Sequence, residues 1–63
     1  MIIELYKDSS GNLWYHEGFD KETKMHKVIV VDCDNENYIY THIVCYMSGK
    51  EFGDLKIVEV EVD

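Results

Sequence analysis

The chain has no proline, no arginine and only two cysteines, and each scarcity closes off a class of protein. Without proline, and with only four glycines, no segment has the composition of a linker, a low-complexity stretch or a repeat. Two cysteines are a poor disulfide framework for a small secreted fold, which usually carries about four or more. No apolar run approaches the ~20 residues that cross a bilayer, and Met1-Ile2-Ile3-Glu4-Leu5 carries no positive n-region. The expectation is a soluble, unexported, cytoplasmic protein. Cations are scarce too: six lysines stand against 13 acids, leaving a net charge of −7 on 63 residues. That balance repels nucleic acid and acidic membranes and favours partners with basic surfaces.

What is present excludes a disordered acidic tail, because 46% of the residues are hydrophobic and 13% aromatic. A chain of 63 residues has room for one domain, 1–63, near the lower size at which a disulfide-free chain folds alone. Alternation and β-branched or aromatic enrichment recur throughout, and no window keeps a helical period. Strands are expected at Ile2 to Lys7, Leu13 to Phe19, Met25 to Asp32, Tyr38 to Met47 and Leu55 to Val62. Asp8-Ser9-Ser10-Gly11-Asn12 stops the first, since Gly and Asn tolerate positive φ and short polar side chains bond nearby backbone. Residues 20–24 read as a hairpin turn, with a short helix over 20–26 as the rival, and Asp34 to Asn37 close the next hairpin. Ser48 to Asp54 form the last connection, with room for one 3₁₀ turn.

Five antiparallel strands joined in order predict an all-β meander, curled into a small SH3-like or OB-like half-barrel to cover its apolar face. With the third hairpin centred near Asn35 and Glu36, Cys33 falls opposite Tyr38 and Cys45 opposite His26. The sulfurs are then about 20 Å apart, beyond disulfide reach, and both are expected as free thiols.

No catalytic or metal motif emerges. Asp32-Cys33-Asp34-Asn35-Glu36-Asn37 has the alternating oxygens of half an EF-hand loop, but Asn37 and Ile43 stand where such a loop needs Gly and Glu. His16, His26, His42, Cys33 and Cys45 lack zinc-site spacing. Nothing resembles a nucleophile elbow or a phosphate loop, so neither an enzyme nor a cofactor is expected.

The acids fall into three groups. Glu59, Glu61 and Asp63 share one face of the fifth strand at ~6.7 Å intervals, close to phosphate spacing, while Val58, Val60 and Val62 point to the core. Asp32, Asp34 and Glu36 crowd the third hairpin tip, Glu51 and Asp54 lie in the last connection, and Lys21, Lys24 and Lys27 gather at the second hairpin. Trp14 and Tyr40 offer rigid apolar anchors.

Two functions follow as expectations. One is a small acidic inhibitor that occupies the basic, nucleic-acid-binding surface of a partner such as a nuclease, mimicking nucleic acid without binding it. Phage-encoded inhibitors of restriction or CRISPR enzymes share that compositional profile, which would put such a protein in a host cytoplasm. The other is a structural or regulatory interaction module, or a homo-oligomer such as a homodimer, that docks through Tyr and Trp on a sheet face and is acidic only for solubility.

Overall fold

A computed structural model describes residues 1–35 and 37–62. It contains strands β1 (Ile2–Lys7), β2 (Leu13–Asp20), β3 (Met25–Asp34), β4 (Asn37–Met47) and β5 (Lys56–Glu61), with one short helix, α1 (Gly49–Gly53), before β5. All ladders are antiparallel, in the order β4-β3-β2-β1-β5. The all-β expectation therefore holds, and residues 20–24 are a hairpin turn.

The connectivity departs from a strict meander at its last strand. β5 lies against β1, from Ile2↔Glu61 to Lys7↔Lys56, on the far side of the sheet from β4. A tight hairpin back onto β4 would need a short turn, but the chain after β4 is taken up by α1, which carries it across the sheet. Among the described residues no ladder joins β4 to β5, so the hydrogen bonding is that of an open sheet with those two strands as edges.

Turn chemistry sets the first four strands. The Asp8 carboxylate accepts hydrogen bonds from the backbone N–H of Ser10 and Asn12 (2.9 Å each), from Asn12 Nδ2 (3.1 Å) and from Trp14 Nε1 (3.2 Å). Gly11 takes φ 89°, a conformation that costs other residues strain. The Asn12 side chain does most to hold the Asp8 carboxyl below its ordinary value of 3.8; desolvation opposes it, and the Asn12 backbone N–H, Trp14 and the Ser10 N–H add to the lowering. The sign is fixed by linkage: the stabilisation is complete above the unfolded-state value and disappears as pH falls through the lower folded value. Asp8→Asn should therefore be less stable than wild type at neutral pH, with the gap closing in acid. Urea denaturation of both proteins from neutral pH to about pH 2 reads this, and a gap that ignores pH would show the charge to be irrelevant.

At the next turn Asp20 accepts from Glu22 N–H (2.9 Å), and Lys24 takes φ 59°. The β3–β4 hairpin closes at Asp34↔Asn37 with Asn35 at φ 48°, a conformation Asn tolerates.

A bulge corrects the expected register of β4. The Thr41 hydroxyl donates to the Val30 carbonyl (2.8 Å) and accepts from Ile43 N–H (3.1 Å), so the pairing slips between Val31↔Tyr40 and Ile29↔Val44. Cys33 does face Tyr38, but Cys45 faces Val28, and His26 faces Met47. Both cysteines are free.

Alternation then sorts side chains onto two faces. On one, Leu5, Val31 and Val60 are buried together, flanked by Ile3, Leu13, Tyr15, Tyr38, Val58 and Val62. Val28, also fully buried, points to the other, which α1 crosses. No helix among the described residues is long and apolar enough to cross a membrane.

Candidate functional site

The face that carries Val28 has two regions of different chemistry. At its centre are His16 of β2 and His26 of β3, which lie diagonally across the ladder because His16 pairs with Val28, two residues along from His26. His26 Nδ1 and His16 Nε2 are 3.1 Å apart, so one of these nitrogens carries the shared proton and the other accepts it. Phe52 of α1 covers the pair: its ring stacks on His26 (centroids 4.2 Å apart, planes at 9°) and lies 4.4 Å from His16 and 4.7 Å from Tyr6. Phe19, the ladder partner of His26, brings its ring centroid to 4.8 Å from it.

Local sequence puts Phe52 there. Ser48 and Glu51 form a capping box: Glu51 N–H donates to Ser48 Oγ (3.2 Å) and Ser48 N–H to Glu51 Oε1 (3.3 Å), which starts a single α-helical turn in the connection where the sequence leaves room for one 3₁₀ turn. Among the described residues neither imidazole is hydrogen-bonded to a hydroxyl, thiol or carboxylate, and no three metal-ligating side chains converge. The cluster is a second, aromatic core that clamps α1 to the sheet.

The second region lies on β1 and β5. Ile2, Glu4 and Tyr6 alternate onto this face, and their partners are Glu61, Glu59 and Ile57. Glu4 and Glu59 are thus directly opposite one another, with Glu61 one step along. All three are exposed and have no ion-pair or hydrogen-bond partner among the described residues, where the single salt bridge is Lys27–Glu17 (3.5 Å). Ile2 (64% exposed) and Ile57 (59%) flank them. Like charges directly across a ladder destabilise a sheet, so these carboxylates are placed against the stability of the fold.

Of the residues singled out from sequence, Glu59 and Glu61 fall in this face, while Glu36 and Asp63 lie outside the described residues. Asp32 and Asp34 are exposed near the β3–β4 turn. Glu51 is engaged in the helix cap, and Asp54 forms the C-cap of α1, lining a groove with Lys7, Asp8, Ser9 and Lys56. Trp14 is half-buried and tied to Asp8, and Tyr40 is exposed but rests on Tyr15, with ring centroids 4.9 Å apart. Glu4 was not among the candidates, because only the placement of β5 beside β1 brings it to Glu59.

No family model matches the chain, and neither the curated proteins nor the solved structures contain a significant match.

Proposed function

We propose that this is a non-catalytic acidic binding protein whose β1–β5 face occupies a basic, nucleic-acid-binding surface of a partner protein. The observation that carries this reading is the opposition of Glu4 and Glu59, exposed and without a described counter-charge, beside Glu61 and between two exposed isoleucines. Acids needed only for solubility can be spread over the surface; a directly opposed pair costs stability wherever it is placed. Rows of carboxylates on a sheet present acceptors to Arg and Lys side chains that otherwise hold phosphates, and Ile2 and Ile57 supply apolar contact beside them.

The test is capture from a lysate of the native host at low and high salt, followed by competition with duplex DNA or RNA. The retained partner should be released by both salt and the competing nucleic acid. Glu59→Lys combined with Glu61→Lys should lower capture at least tenfold while leaving the fold intact, because a cation opposite Glu4 relieves the like-charge contact. Glu4→Gln should raise stability by about 0.2–1 kcal/mol and still weaken binding. Undiminished capture by the double variant would end this reading.

The alternative, docking through an aromatic sheet face, draws support from the exposure of Tyr40 (48%) and Tyr46 (56%). It predicts capture that survives high salt.

A further inference from the structure

β4 is an edge strand of 11 residues, and Asn37–Met47 contains no Asp, Glu, Lys or Arg in a chain of net charge −7. Ile39, Tyr40, Ile43, Val44 and Tyr46 are all between 42% and 59% exposed along it. The opposite edge is built differently: β5 exposes Lys56, Glu59 and Glu61, the charges with which sheet proteins block edge-to-edge pairing. One edge is guarded and the other is not.

We propose that β4 is the interface of a symmetric homodimer, in which the β4 strands of two copies pair antiparallel about a two-fold axis within Val44–Met47. Charge selects a second copy as the occupant. Two molecules of net −7 repel wherever acids meet, on the β1–β5 face or at the Asp32–Asp34 end of the hairpin, and β4 is the one strand on which neither copy brings an ionised carboxylate. An acidic or basic partner gains nothing from an uncharged strand, whereas antiparallel self-pairing satisfies the outward N–H and C=O groups of both edges with one isologous contact.

The bulge at Thr41–Ile43 breaks β4 into two regular segments, Asn37–Tyr40 and Val44–Met47. The first adjoins Asp32 and Asp34, whose partners are Ile39 and Asn37. The second runs beside Lys27, the partner of Tyr46, and is remote from those acids. An axis in the second segment therefore keeps the two acidic hairpin tips far apart, whereas one in the first would bring them together. Val44 and Tyr46 of one copy then cover the same residues of the other.

This inference is independent of the acidic-face reading and has the opposite salt dependence. Screening the repulsion between two acidic copies should strengthen the dimer, whereas capture of a basic partner weakens as salt rises. Sedimentation equilibrium of the purified chain should give a mass approaching twice the monomer's 7.4 kDa, with the dimer fraction rising with both protein concentration and salt. Val44→Lys and, separately, Tyr46→Lys should each weaken dimerisation at least about tenfold, since symmetry counts each change twice. Both side chains are substantially exposed, and circular dichroism of each variant should match wild type. A wild-type chain that stays monomeric across these conditions overturns the proposal, as does a dimer that both substitutions leave intact.

Discussion

Leu5→Ala should leave a large fraction of molecules unfolded at room temperature. Leu5 is fully buried at the middle of β1, the strand that pairs with both β2 and β5, and it shares its cluster with Val31 and Val60. Among the described residues only four hydrophobic side chains are buried, so few fully buried neighbours exist to close over a cavity. Leu→Ala at such a site costs about 2–5 kcal/mol, while a domain of this size has a total stability of only about 3–9 kcal/mol. The loss is thus comparable to the whole. Ile2→Ala, on the same strand but 64% exposed, should change stability by no more than about 0.5 kcal/mol. Urea denaturation of the two variants beside wild type separates them. A Leu5→Ala midpoint within error of wild type would mean that the core is not where the burial places it.

Phe52→Ala has the second largest expected effect, and it acts locally. α1 is a single helical turn, far below the length at which a helix is stable by itself. Its capping box contributes about 1 kcal/mol, less than the nucleation of the turn demands, so packing of Phe52 on Tyr6, His16 and His26 must hold it. Complete burial of a Phe side chain would make the truncation cost about 3–5 kcal/mol; Phe52 is only half-buried, which reduces the figure to about 2 kcal/mol. For a domain this small the melting temperature should fall by roughly 8–16 °C. Amide exchange distinguishes this from a general loss of stability: protection should vanish first over Ser48 to Asp54, before the β2–β3 ladder responds. Uniform loss across all ladders would show that α1 is not a separable clamp.

Much of the fold is legible in local chemistry. β1 begins and ends where alternation and the Asp8–Asn12 turn put it, and Asn35 closes a hairpin because it tolerates positive φ. The inward set Val58, Val60 and Val62 follows from a period of two and needs no knowledge of neighbours. The register of β4 is not legible in this way, since the Thr41 bulge depends on a hydroxyl reaching a carbonyl on β3. His26 consequently meets Met47 and Phe52 instead of Cys45. The capping box was present in the pattern Ser48-Gly49-Lys50-Glu51 and is the one local signal that could have revealed α1 and its ring.

By itself the sequence determined an acidic all-β chain of five strands, with its turn positions and its inward valines, because these depend on residues within a few positions of one another. Tertiary structure alone decided which edge β5 would take. Ile2 pairs with Glu61 and the Met1 amino group donates to the Val62 carbonyl (2.9 Å), contacts between opposite ends of the chain that no local pattern encodes. That single choice set Glu4 against Glu59, brought Val60 beside Leu5, and left an uncharged β4 as the open edge. Burial of Val60 and a complete six-pair ladder along β1 are the physical reason it was made.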